Sequence, residues 1–306
     1  MTDVEGLVSV VIPTRGRAEL LLRAIGSALA QTYGQLEIVV VVDGPDEETE
    51  RALGGVQDGR LRWQVNGQSL GGSEARNVGV RAARGEWVAF LDDDDEWLPA
   101  KLERQVRLLR AVAGPALVSC RIITRTPRGE FVGPERQPRP TEHLSEYLFR
   151  PRRPFARGAR LQTSAAVVSR QLALQVPWDA GLSRFQDFDW FLRLAAAGAQ
   201  VRIVPEALSV WYFRQDRPTI GGQHSSDWRQ ALEWIDERRE LVSRRAYARW
   251  VLARVAGLAA AAGEPQAMGG LWQKARRHGR AGIIDVAQFL VYRLLGAYRG
   301  RRRSGR

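Results

Sequence analysis

The chain has 306 residues, 44% hydrophobic and 26% charged, with one cysteine and a formal net charge of +12. That length exceeds one ordinary core, so a large domain with an appendage is expected. A single cysteine excludes an internal disulfide or a thiol-rich metal site, and no run reaches the roughly 20 apolar residues of a membrane span.

The charge is uneven. Residues 223–306 hold 17 Lys+Arg against 7 Asp+Glu. The expected division is therefore 1–222 as one domain and 223–306 as a basic helical region. The opening "MTDVEGLVSVVIP" has no basic leader and no long apolar stretch, so no secretory signal is expected. The expected location is cytoplasmic, with peripheral contact at the inner face of the membrane. Cys120, in the apolar run "ALVSC", reads as core packing.

In chain order, "LVSVVIP" predicts a buried strand over 7–13. "RAELLLRAIGSALAQ" carries apolar residues at helical spacing. "LEIVVVVD" predicts a second buried strand ending at Asp43, and "DEETERALG" a short helix. "LRWQV" reads as a strand. "SEARNVGVRAA" reads as a helix capped by Ser73. "EWVAFLD" predicts a strand ending at Asp92, followed by a helix over "PAKLERQVRLLRAV". Apolar strands alternating with helices predict an α/β fold, a Rossmann-like, mostly parallel sheet flanked by helices.

Residues 126–160 are rich in Pro, Gly and Arg and read as long loops around one short helix, "LSEYLF". Beyond them, "QTSAAVVS" predicts a strand and "QDFDWFLRLAAAG" a helix. "QVRIVP" and "ALSVWYF" predict two strands. From Asp227 onward the pattern is helical, a C-terminal extension.

Asp43 and the run Asp92–Asp95 end parallel strands, which places them on one edge of the sheet, where such folds bind ligands. Carboxylates cluster readily when a hard divalent cation sits among them, and Mg²⁺ or Mn²⁺ takes one or two carboxylates plus substrate phosphates. The run therefore predicts a site for a cation and a diphosphate.

Three stretches together, "VSVVIPTRGRAELLLRAIGSALAQTYGQLEIVVVVDG", "GGSEARNVGVRAARGEWVAFLDDDDEWLPAKLERQV" and "RFQDFDWFLRLAAAG", resemble the family 2 glycosyltransferases of GT-A fold. The resemblance covers about Leu7 to Phe213. It implies a nucleotide-sugar donor, Mg²⁺ or Mn²⁺, and inversion at the anomeric carbon. By resemblance, Pro13 and Thr14 touch the nucleoside, Asp43 bonds a uracil-like base, and Arg76 lies near the nucleotide. Asp92 and Asp94 match the DxD pair, with Asp92 toward ribose or metal and Asp94 the metal ligand. Asp93 is the middle residue at the donor, and Asp95 supports the loop.

The same resemblance makes Asp187 the catalytic base. Asp189, two residues on, points about 200° away on a helix and serves locally. Gln186 stands where many members carry a second carboxylate, which leaves acceptor contacts open. Tyr212 and Arg214 match a donor-closing segment, but no histidine follows closely; His224 lies ten residues past Arg214 and reads as an exposed loop residue. The implied acceptor is a glycan, a lipid-linked sugar or a small molecule, and the implied use is cell-surface polysaccharide, lipopolysaccharide or glycoconjugate synthesis.

Two rivals remain. A sugar nucleotidyltransferase would carry a glycine-rich, lysine-bearing loop, whereas "PTRGRAEL" has one glycine and no lysine. An inactive donor-binding or membrane-surface scaffold is motivated by Gln186. The final helix, with Ile283, Ile284, Phe289, Leu290, Leu294 and Leu295 ahead of clustered arginines, suits an anionic membrane surface. No groove-reading motif is present, so nucleic acid is not an expected partner.

Overall fold

The computed structural model describes residues 3–127, 129–150, 161–212 and 227–304, with side chains to residue 296 in the last helix. Contacts divide the chain into two compact units. One comprises Met1–Pro138 with Arg152–Ile220, the other Arg139–Pro151 with Gly221–Arg306.

The first unit begins with strand β1 (Val4–Thr14), helix α1 (Ala18–Leu29), β2 (Leu36–Val42), α2 (Glu47–Gly54) and β3 (Leu61–Val65). It continues through α3 (Gly72–Ala82), β4 (Gly85–Phe90), a two-residue β5 (Glu96–Trp97) and α4 (Lys101–Ala111). The apolar runs are strands because both of their faces are covered: every residue of β2 is buried. Strands β3, β2, β1 and β4 are neighbours and all parallel. Their C-terminal ends therefore share one edge. Helix α3 packs on β1 so closely that a Cβ on Gly79 would lie 2.3 Å from a Val11 methyl carbon.

The rest of the sheet is mixed. Strand β6 (Ala116–Thr126) pairs antiparallel with β7 (Gly129–Gly133) and β8 (Val167–Ser169), and parallel with β9 (Gln200–Tyr212). Strand β8 also joins β4, and β9 carries β5. Cys120 is buried in β6, as the apolar run predicts. The segment after β6 is not all loop, because β6 folds back on itself as β7. That strand is mostly exposed and lacks an apolar face, so its sequence carries no strand period. The predicted strands "QVRIVP" and "ALSVWYF" are one. The register of β9 against β6 slips between Val204 and Ala207, where Pro205 lacks a ladder donor, and the strand continues beyond.

Two shorter corrections concern helices. Helix α3 begins two residues earlier than expected: its N-cap is Gly71, at φ +86°, and the Ser73 hydroxyl makes no capping bond. The predicted strand at "QTSAAVVS" is a 3₁₀ turn (Thr163–Ala165) before β8. An unpredicted helix α6 (Arg170–Gln175) follows, after α5 (Leu144–Leu148) of the second unit. Helix α7 (Gln186–Ala196) completes the first unit's helices among the described residues and is closed by Gly198 at φ +88°.

Lys101, the first residue of α4, is an anomaly of this core. It is fully buried, its Nζ has no hydrogen-bond partner, and it lies 3.7 Å from the centroid of the Trp97 ring. Burial pulls its amine down to about 7. The unfolded chain keeps that proton up to about pH 10.4. Between the two values the unfolded state binds more protons, so the native state gains stability as pH rises. Urea melts should show wild type gaining on Lys101→Met by about 1.4 kcal/mol per pH unit across that window. A constant difference would mean that Lys101 is not held neutral.

The second unit is helical in all its described regular elements. It comprises α5, α8 (Trp228–Glu237), α9 (Arg244–Arg249), a π segment (Trp250–Val255) running into α10 (Ala256–Ala262), α11 (Ala267–His278) and α12 (Ile283–Ser304). Phe149, Trp234 and Trp250 form its aromatic centre. No helix among the described residues is long and apolar enough to cross a membrane.

Candidate active site

The shared edge of β1, β2 and β4 opens into a cavity of about 370 Å³. Pro13, Thr14, Asp43, Arg76, Asp92, Asp93 and Asp94 all line it, together with Arg15 and Arg17. Seven of the eight sequence-derived candidates thus meet in one place, although they come from three strand ends and a helix.

Four consecutive aspartates coexist because a tight turn, closed by Asp95 N–H donating to the Asp92 carbonyl at 3.1 Å, aims each carboxylate differently. Asp92 Oδ1 accepts from Arg76 Nη2 at 2.5 Å. Asp93 accepts from the Thr14 hydroxyl at 2.8 Å and from Arg17 Nη1 at 3.0 Å. The same Arg17 nitrogen lies 3.3 Å from Asp94. Asp95 is buried behind the turn, where it accepts from Gln162 and Ser164. Burial pushes Asp95 well above the usual carboxylate range, and burial pushes Asp93 up to about 6 against the pull of Arg17. Asp94 keeps a more exposed carboxylate at the cavity wall.

Arg76 joins two parts of the site. Its guanidinium lies 4.9 Å from the Trp178 ring and feels the charges of both Asp92 and Asp187. Trp178 is held by Asn77, whose side chain donates to the Trp178 carbonyl and accepts from its N–H at 2.9 and 2.8 Å. Trp178 in turn stacks 4.3 Å from Trp190 of α7. Asp187 sits in the first turn of the same helix, after Phe185, a non-glycine residue in the left-handed region at φ 64°. Such backbone costs energy and concentrates at working sites. Burial raises the Asp187 carboxyl above its ordinary value, Arg76 pulls it down, and Asp92 pushes it up. Asp189 is fully buried and paired with Arg193 Nε at 2.6 Å, a local partnership within α7.

Asp43 has internal partners. One oxygen accepts from Leu70 N–H and Asn66, the other from Gly71 N–H and the Ser69 hydroxyl, at 2.8–3.2 Å. Those bonds shape the loop that starts α3, and they hold the carboxyl below its ordinary value despite its burial. Ser69 also takes Arg15.

Sequence reasoning missed Arg17 and Trp178. Arg17 stands in "PTRGRAEL", four residues past the end of the apolar strand run, and its basic type was the available signal. Nothing local marks Trp178. Tyr212 is committed to Glu96 and Arg125; Arg214 and His224 lie outside the described residues.

Among the described residues, no group of three or more His, Cys, Asp or Glu is gathered to hold a metal ion. A cation completed by substrate phosphates needs no such cage. The chemistry of Asp94, a carboxylate at the cavity wall beside Asp92, fits one.

The amylovoran biosynthesis glycosyltransferase AmsB of Erwinia amylovora is 26% identical over 248 residues, 78% of this chain and 79% of that protein. The UDP-Glc:α-D-GlcNAc-diphosphoundecaprenol β-1,3-glucosyltransferase WfaP of Escherichia coli is 31% identical over 34% of this chain and 41% of its own length. In fold, S. aureus TarS 1–349 in complex with UDP-GlcNAc superposes with a TM-score of 0.60 at 13% identity, over 98% of this chain and 92% of that one. The mannosyltransferase PcManGT from Pyrobaculum calidifontis, in complex with GDP-Man and Mn²⁺, gives 0.57 at 20% identity, over 96% and 86%. The α/β sheet flanked by helices is thus a GT-A fold. The model of glycosyl transferase family 2 matches residues 9–170, more than half of the chain, and the chain belongs to that family.

Proposed function

We propose that this glycosyltransferase moves a sugar from a UDP-sugar to an acceptor hydroxyl with inversion, in polysaccharide or glycoconjugate synthesis. The observation that carries the reading is Arg76, paired with Asp92 in the cavity and held in the field of Asp187. It couples a diphosphate-sized pocket to a carboxylate able to take a proton.

In this reading the nucleoside rests on Pro13 and Thr14. A base N–H replaces the Ser69 hydroxyl on Asp43, the one side-chain donor of that carboxylate that also has another partner. Asp92 and Asp93 face the ribose and diphosphate. A bound Mg²⁺ or Mn²⁺, held by Asp94, would offset charge on the departing diphosphate. Arg76 and Arg17 add fixed positive charge to the same group. Asp187 takes the acceptor proton as its oxygen bonds the anomeric carbon; the bond from that carbon to the diphosphate oxygen breaks and the diphosphate leaves with the electron pair. Catalysis belongs to residues 1–222 on this reading, and 223–306 serve other contacts. The acceptor class is a growing or lipid-linked glycan, supported by AmsB and WfaP.

The test is thermal stabilisation by UDP, GDP, dTDP and CDP, each with and without Mn²⁺. A ligand held at 100 times its Kd adds about 2.7 kcal/mol. UDP should raise the melting temperature chiefly with Mn²⁺ present, and Asp94→Asn should remove the metal-dependent part. A shift with GDP alone would reassign the donor. No shift with any nucleotide would leave an inactive scaffold.

A further inference from the structure

Helix α12 is docked on one face and bare on the other. Toward its own unit it turns Asp285, which accepts from Arg249 Nε at 2.9 Å, Phe289, stacked 5.5 Å from Trp272, and Gly296, against Ala260. Phe289 thus belongs to the packed face, not to the outward one that its sequence neighbours suggest. At 100° per residue, Ile283, Ile284, Leu290, Val291, Leu294 and Leu295 fall on the opposite side. These six are 44–90% exposed. With Ala287 they make a strip about 140° wide and about 18 Å long with no polar residue inside it. Apolar surface this continuous marks an interaction site.

The neighbouring charge selects the occupant. After Asp285 the chain has six arginines and no Asp or Glu. Arg293 borders the strip, and Arg299, Arg301, Arg302 and Arg303 follow along the same helix. A second copy packed parallel on the strip would bring these arginines together against their own charge, and one packed antiparallel would leave them without a counter-charge. An anionic bilayer offers acyl chains to the strip and phosphates to the arginines, and α12 is not apolar enough to cross it. We propose that α12 lies in the plane of an anionic membrane surface, with this strip in the acyl boundary.

The test is cosedimentation of the full chain with vesicles of phosphatidylcholine alone or mixed with phosphatidylglycerol. Wild type should bind the mixed vesicles, more weakly as salt rises. Leu290→Gln/Leu294→Gln, altered only at exposed positions, should keep its helical circular dichroism and UDP response while its vesicle affinity falls about tenfold or more. No binding of wild type to anionic vesicles overturns the proposal, as does equal binding by the variant. A dimer that the double substitution dissolves, without vesicle binding, would assign the strip to a second copy instead. A lost UDP response with vesicle binding intact would strike the donor reading alone.

Discussion

Asp187→Asn should lower transfer by about 10²- to 10⁴-fold, the range for losing a positioned general base, while the UDP- and Mn²⁺-dependent rise in melting temperature persists. The amide nearly matches the carboxylate in shape, so the Trp178–Trp190 stack and the first turn of α7 remain. What disappears is the group that takes the proton. The pH profile supplies an independent readout. Burial raises the Asp187 carboxyl above its ordinary value, and only the charged form is a base. Wild-type turnover should therefore fall as pH drops through that raised value, whereas residual turnover in the variant should lack this limb. Full activity in Asp187→Asn would move the base elsewhere and remove the main support for the proposed mechanism.

The second large effect is expected at Arg76. Arg76→Met removes the guanidinium that pairs with Asp92 and pulls the Asp187 carboxyl down. Removing one partner of a largely buried ion pair costs about 3–5 kcal/mol, and denaturant melts should show a loss of that order. Donor stabilisation should vanish with it, because the pocket loses its innermost cation. Arg76→Lys should not restore both properties: an ammonium cannot lie flat on Trp178 while its charge reaches Asp92. Any remaining transfer in Arg76→Met should have its acid limb displaced to higher pH, since the Arg76 charge pulls the Asp187 carboxyl down. An unchanged limb would mean that Arg76 does not act on Asp187 in solution.

Much of the site was legible because of how a parallel sheet is built. The runs "LVSVVIP", "LEIVVVVD" and "EWVAFLD" are apolar throughout, which is the mark of strands covered on both faces. Parallel strands put their ends on one edge, so Asp43 and Asp92 could be brought together from periodicity alone, while Thr14 came from the resemblance. Asp187 and the division of labour with Asp189 followed from the resemblance and from 100° per residue, and the Asp189–Arg193 pair agrees with the local part.

The rest depends on contacts between residues far apart in sequence, which leave no local period. The order of the four aspartates is plain to read. That Asp95 turns inward to Gln162 and Ser164 while Asp93 meets Thr14 and Arg17 follows from what 70 or so intervening residues deliver to the turn. Trp178 becomes the seat of Arg76 only when Asn77, 101 positions earlier, grips its backbone. Strand β7 exists because β6 offers it a ladder, not because its own residues alternate. The apolar count of α12 is in its sequence, but which side of it faces protein was decided by Arg249, Trp272 and Ala260. Local propensity and periodicity thus determined most of the elements and the edge on which the chemistry gathers. Burial and long-range pairing, which sum over partners distant along the chain, decided the direction of each charge and the face left bare.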